Sequence, residues 1–229
     1  MSTASQTLLT RMGKGLFGRL RRDAAAEWSA YTNHDFLRAL AAGTLPEETF
    51  CNYLIQDYLY LIQFTRAYAL AVYKSRTLEE MRRMAESLAA ILREMPLHVA
   101  FCNAWGISEA DMHAAPESLE LLAYSRFLLD CGSQGDVLDL TVALSACVVG
   151  YADIGARLIA DPATEMDNNP YRAWIETYGG DDYINVALQA LDTLDLVAQG
   201  RGSDARYPTL LQTFGTAARL EALFWEAGS

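Results

Sequence analysis

Basic charge is scarce in this chain. Its 229 residues carry 18 Lys and Arg against 29 Asp and Glu, a formal net charge of −11. Nucleic-acid binding asks for the opposite balance, a basic face that neutralises phosphates. DNA and RNA are therefore not expected partners. The cations gather only at Lys14, Arg19, Arg21 and Arg22, which read as a solvated first helix. Histidine is rarer still, with His34, His98 and His113. A carboxylate-bridged di-iron centre needs several Glu, Asp and His at helical spacing, and only Glu94 with His98 offers such a pair. The bland reading of these two is a structural hydrogen-bonded pair. The four cysteines, Cys51, Cys102, Cys131 and Cys147, form no CxxC and no tight framework. They read as free thiols of a reducing cytoplasm. No run approaches the roughly 18 unbroken apolar residues of a membrane span. The polar opening MSTASQTLLT leads into no signal-peptide core, so no membrane partner is expected.

No strand-like alternation bounded by turns is visible either. With 52% hydrophobic residues the chain can close a sizeable core. No Pro/Gly/Ser-rich linker divides it, so a single domain over 1–229 is expected, with residues 1–10 a flexible segment. Helical periodicity runs almost throughout. Thr44-Leu45-Pro46-Glu47 predicts a helix start, with Thr44 as cap, Pro46 in the first turn and Glu47 closing a capping box. That helix is expected to reach about Lys74. Another is predicted from Leu78 to Trp105, stopped by Gly106. Pro116 opens one ending near Gly132, and Asp136 opens one ending near Asp161. After the turn-forming Asp167-Asn168-Asn169-Pro170 comes a short helix broken by Gly179-Gly180. Asp181 is placed to cap the next, and the last runs from near Tyr207 to Trp225. Long helices with short loops predict an all-α antiparallel bundle.

Polar residues interrupt the apolar faces of that bundle. After Thr44 the buried stripe reads Phe50, Tyr53/Leu54, Asp57, Tyr60/Leu61, Phe64. After Asp136 it reads Leu140, Leu144, Cys147, Tyr151, Ile154, Leu158. In the last helix it reads Leu210, Phe214, Ala217/Ala218, Glu221, Phe224/Trp225. A buried carboxylate must be paired, hydrogen-bonded or protonated. Taken singly, Asp57 and Glu221 could be structural, and Cys147 an ordinary small core residue. Together they form a thiol and two carboxylates facing inward with tyrosines, a nucleophile-plus-acid/base set.

Several ordered segments carry a resemblance. Ala26-Glu27-Trp28 with His34 and Phe36 is followed by Gly43-Thr44-Leu45-Pro46 and Phe50. Then come Tyr53-Leu54-Ile55-Gln56-Asp57-Tyr58-Leu59-Tyr60, Glu94-Met95-Pro96-Leu97-His98 and Ala146-Cys147-Val148-Val149-Gly150-Tyr151. Trp174-Ile175-Glu176-Thr177-Tyr178-Gly179-Gly180 and Glu221-Ala222-Leu223-Phe224-Trp225 complete the set. In order and spacing these resemble the cysteine-containing branch of the TenA/thiaminase II family, across nearly the whole chain. The resemblance implies a heme-oxygenase-like helical bundle assembled as a homotetramer, with no metal or other cofactor. The implied reaction is hydrolysis of a CH2–N bond on an aminopyrimidine. An aminomethyl pyrimidine would give the hydroxymethyl pyrimidine and ammonia; thiamin would give the same pyrimidine and its thiazole.

Carried over residue by residue, the resemblance implies Cys147 as nucleophile and Glu221 as acid/base. It implies Asp57 on the aminopyrimidine edge, Tyr60, Tyr151 and Tyr178 positioning thiol, carboxylate and ring, Tyr124 in the pocket, and Phe224 stacked on the substrate. The chain departs from the family pattern at Ala146, where proline is usual, and at Val148, Val149 and Gly150, where aromatics are usual. Gly150 marks either close helix packing or extra room for substrate. The choice between aminomethyl pyrimidine, thiamin and another derivative stays open on the sequence. A second class of function also stays open: a non-catalytic pyrimidine-binding or regulatory protein, which would use Asp57 and the tyrosines without needing Cys147.

Overall fold

The computed structural model describes residues 2–228. Among the described residues there are helices and no strand. In chain order the helices are α1 (Thr3–Met12), α2 (Gly15–Asp23), α3 (Ala25–Thr32), α4 (Asp35–Ala41), α5 (Glu47–Lys74) and α6 (Leu78–Ala104). Then follow α7 (Glu109–Ala114), α8 (Leu119–Gln134), α9 (Val137–Ala160), α10 (Arg172–Gly179), α11 (Asp181–Gln199) and α12 (Tyr207–Phe224). A 3₁₀ turn, Trp225–Gly228, closes the chain. They form two compact units, Met1–Leu45 with Thr141–Ala222, and Pro46–Leu140 with Leu223–Ser229.

In the first unit the opening residues differ from expectation. They form α1 rather than a flexible segment, because Leu8 and Met12 on one face are fully buried. Ser2 caps the helix, accepting the Ser5 N–H at 3.1 Å. Arg11 reaches Asp192 at 2.6 Å and Asp195 at 3.0 Å on α11. Asp181 does not cap α11; Gly180 occupies the cap position, and Asp181 accepts the Ser2 hydroxyl at 2.6 Å instead. The basic cluster lies on the second helix, not the first, and Arg19 stacks 3.6 Å from the Tyr207 ring centroid.

Helix α9 is long and apolar enough to cross a membrane by composition, yet it is buried in the fold. Two glycines let α10 cross it at backbone distance. A Cβ on Gly155 would meet the Gly179 nitrogen at 2.3 Å, and one on Gly179 would meet the Gly155 oxygen at 2.5 Å. The loop before α10 is held by Asn169, whose amide donates to Leu40 O at 2.8 Å and Glu165 O at 3.0 Å. Its Oδ1 accepts the Tyr171 N–H at 2.8 Å, which is the local turn chemistry of asparagine.

In the second unit α5 begins as predicted at Glu47, but Thr44 is not its cap. Pro46 holds the cap position with no side-chain hydrogen bond, and Thr44 donates to Ala39 O at 3.4 Å. Helix α6 is capped by Thr77, which accepts the Glu80 N–H at 3.1 Å, and it ends where Gly106 turns to φ +77°. The start expected at Pro116 falls at Leu119, because Ser118 caps α8 through the Leu121 N–H at 3.2 Å. Helix α7 was outside the predicted set; a capping box between Ser108 and Asp111 makes it. Helix α9 opens with a reciprocal pair. Asp136 accepts the Leu138 N–H at 2.8 Å, and Asp139 accepts the Asp136 N–H at 2.8 Å.

Candidate active site

Cys147 lies on α9 in the first unit, with 7% of its surface accessible. Two other thiols are held in the protonated, less reactive form by their surroundings. Burial first, then the charge of Asp57, pushes Cys102 up to about 12. Burial first, then Asp130, pushes Cys131 up to about 11. Both stay protonated at neutral pH, and the thiolate is the reactive form. Burial, then Glu47, also raises Cys51.

One turn beyond Cys147, Tyr151 packs in an aromatic group. Its ring centroid is 4.8 Å from Tyr178, 5.9 Å from Trp174 and 6.5 Å from Tyr31. The Gly155–Gly179 crossing makes the first of these contacts possible, since it draws the end of α10 onto α9. Gly150 has a different task. A Cβ there would fall 2.3 Å from Tyr31 Cε1 and 2.6 Å from its hydroxyl. The glycine therefore accommodates Tyr31, and of the two readings it marks close packing. Tyr31 in turn is fixed through α3. Trp28 Nε1 donates to Asp153 Oδ2 at 3.2 Å, and Asp153 pairs with Arg157 at 3.3 Å. Arg157 donates to Thr32 O at 2.7 Å and Asn33 Oδ1 at 2.9 Å. Glu221 on α12 is in the same unit and 1% exposed, as the interrupted stripe predicts.

The second unit holds the other four predicted residues. Asp57 is buried on α5, and burial pushes its carboxyl up to about 6 against the opposing pull of His98. One turn further, Tyr60 stacks on Tyr124 at 5.1 Å with 19° between the rings. Phe224 meets Tyr60 at 5.6 Å and Tyr53 at 6.2 Å. Within this unit Tyr60, Tyr124 and Phe224 thus form one aromatic cluster, adjoining Asp57 along α5.

The expected pairing of Glu94 with His98 is corrected. Glu94 is exposed, whereas His98 Nδ1 faces Asp57 Oδ2 at 3.7 Å and Nε2 contacts Leu54 O at 3.3 Å. An i, i+4 spacing permits a pair but does not decide it; the rotamer that buries the imidazole against α5 does. Sequence reasoning gave no role to Gln56, which it named only within a motif, and passed over Asp153 and Tyr31. Gln56 ties α5 to the loop before α8, donating to Pro116 O at 3.1 Å and accepting the Ser118 N–H at 2.9 Å. Asp153 was findable, being a carboxylate inside the most apolar helix with an arginine four residues on. Tyr31 carried no such signal. Among the described residues no three His, Cys, Asp or Glu are grouped to hold a metal. A cleft of about 260 Å3 beside Thr32, Arg38 and Arg157 includes none of the predicted residues.

The first unit thus places buried Cys147 one turn before an aromatic group on the same helix, and the second places buried Asp57 one turn before a pair of stacked tyrosines. The family model described as TENA/THI-4/PQQC family matches residues 21–229, and the chain belongs to that family. It is 38% identical over 210 residues to an uncharacterised protein of Haemophilus influenzae, covering 92% of this chain and 97% of that one. It is 34% identical over 200 residues to an aminopyrimidine aminohydrolase of Halalkalibacterium halodurans, covering 87% and 88%. Among solved structures it is similar to a TenA family transcription regulator from Silicibacter sp. TM1040, with TM-score 0.90, 44% identity, and 96% and 98% of the two chains covered. The fold is the all-α heme-oxygenase-like fold.

Proposed function

We propose that this chain is an aminopyrimidine aminohydrolase of thiamin salvage, cleaving the CH2–N bond of an aminomethyl pyrimidine and, as a second substrate, thiamin. The observation that carries the reading is the likeness to the Halalkalibacterium halodurans enzyme over 87% of the chain. Cys147 is the nucleophile. Its sulfur adds to the pyrimidine ring as the thiolate, and the substituent on the exocyclic methylene leaves with a proton from Glu221. Water then adds at that carbon, giving its proton to Glu221, and the sulfur–carbon bond breaks. Aminomethyl pyrimidine and water become hydroxymethyl pyrimidine and ammonia. Asp57 hydrogen-bonds the N–C–NH2 edge, Tyr60, Tyr151 and Tyr178 position thiol and ring, and Tyr124 and Phe224 give aromatic walls that bury a flat heterocycle. A nucleophilic thiol of this kind suits a reducing compartment such as the cytoplasm.

We also propose a homotetramer. Supporting it, α6 buries only Glu80, Met84 and Cys102 along its length, and its Leu92 and Leu97 are 55% and 65% exposed. Such an apolar face is what an interface covers.

The activity is tested by incubating purified protein separately with aminomethyl pyrimidine and thiamin, following ammonia and hydroxymethyl pyrimidine. Wild type is expected to turn over the first. The Cys147→Ser variant is expected to lose at least a thousandfold in kcat while still binding substrate, because a hydroxyl is a far weaker nucleophile here. Unchanged turnover in that variant removes the covalent mechanism. A regulatory reading, which the naming of the Silicibacter protein as a transcription regulator suggests, predicts binding without turnover in both proteins.

A further inference from the structure

The pairing of His98 with Asp57 constrains where protons can be. Nε2 of His98 faces the carbonyl of Leu54 at 3.3 Å. A carbonyl only accepts, so that nitrogen carries a hydrogen. Nδ1 then faces Asp57 Oδ2 at 3.7 Å, with both side chains largely buried, at 12% and 7% exposure. In a neutral ring Nδ1 would present a lone pair to the lone pairs of a carboxylate. That arrangement is repulsive and poorly solvated. It is relieved by a proton on either side: an imidazolium facing a carboxylate, or a neutral imidazole facing a carboxylic acid.

We propose that His98 is a positioning residue that keeps one proton shared with Asp57, so that Asp57 can present one donor and one acceptor to an aminopyrimidine edge. This rests on the reading of Asp57 as the group that binds that edge. The N–C–NH2 edge of a neutral aminopyrimidine is itself one acceptor beside one donor. A carboxylic acid matches it with two hydrogen bonds, whereas a bare carboxylate matches only its donor. A proton delivered from Nδ1 to Oδ2 makes the match, and the same proton returns to the ring when the ligand leaves.

The neighbouring titratable groups leave the pair to itself. Cys102 on α6 is kept neutral by burial and by Asp57. Cys51 on α5 is also raised, by burial first and then by Glu47. Tyr58 lies with its ring parallel to His98 at 6.5 Å, and its hydroxyl donates to Glu109 of α7 at 3.4 Å. None of these brings a positive charge that would fix Asp57 as a carboxylate. The upward shift of Asp57 by burial agrees with a proton held in the pair.

Nitrogen-15 NMR of the histidine rings, combined with steady-state kinetics on aminomethyl pyrimidine, tests the proposal. In wild type, His98 is expected to show Nε2 protonated and Nδ1 facing the proton it shares with Asp57. In Asp57→Asn it reverts to a neutral ring with Nδ1 bare. A neutral wild-type ring protonated on Nδ1 and bare at Nε2 overturns the proposal, whatever the protein's activity. His98→Asn retains a donor toward Asp57 but cannot surrender a proton. It is expected to raise KM at least tenfold at pH 8, with kcat changed less than threefold, and the defect shrinks at pH 6. An unchanged KM across that range, in a variant with wild-type helicity by circular dichroism, also overturns it. Should wild type turn over no pyrimidine, the functional reading fails while the NMR still decides the pair.

Discussion

At the scale of single residues the telling group is Asp57, a carboxylate where the pattern of α5 asks for an apolar side chain. Its position was legible from helical periodicity alone, and so were those of Cys147 and Glu221. Its partner was not. His98 points at α5 rather than along its own helix to Glu94, and no spacing rule contains that choice. The energetic consequence has a definite sign. The folded carboxyl binds its proton more tightly than the unfolded one, so its stabilising contribution is complete below the ordinary value of 3.8 and is lost as pH rises through about 6. Asp57→Asn is therefore expected to gain stability toward urea over wild type, more at pH 8 than at pH 5, while substrate affinity falls. A variant equally stable with wild type at both pH values would contradict this account. Stability given up at such a position is the cost that the binding role proposed for Asp57 would account for.

At the scale of elements, the long helices were readable because their apolar period is sustained over many turns, and so were the end at Gly106 and the start at Asp136, whereas the short α7, made by its capping box, was not. The ends that misled were those where several polar residues compete. Thr44, Pro116 and Asp181 each have the right chemistry for a helix start, but Pro46, Ser118 and Gly180 hold the cap positions. The crossing of α9 and α10 was invisible, because a glycine in a helix signals weakness before it signals contact. Gly155→Ala is expected to cost about 3 kcal/mol, as a methyl pressed on backbone has nothing flexible to displace. It should also separate Tyr178 from Tyr151 and lower turnover beyond the loss of stability. Thermal unfolding measured beside kcat separates the two effects. Normal values of both would show that the helices move apart freely.

At the scale of the whole molecule, composition alone disfavoured nucleic acid, and the family match agrees with a small-molecule enzyme. The aromatic residues assigned to binding were legible as types on buried faces. Which of them touch was not, since Tyr60 on Tyr124 and Tyr151 on Tyr178 are encounters between different helices. The proposed assembly is tested on the exposed side of α6. Light scattering of wild type is expected to give four times the chain mass. Leu97→Glu, placing a charge on that face, is expected to shift it to smaller species. A tetramer that survives Leu92→Glu and Leu97→Glu together would place the interface elsewhere.

The contact between Gly155 and Gly179 also constrains heredity. Every single-base change away from a glycine codon that keeps an amino acid there introduces a side chain with a Cβ, and each site has no room for one. Random mutation therefore has no missense step at either codon that preserves the crossing. The repair of one such change by the other is closed as well, because the partner cannot become smaller than glycine. The pair behaves as a fixed point, able to be lost with the activity but not to drift.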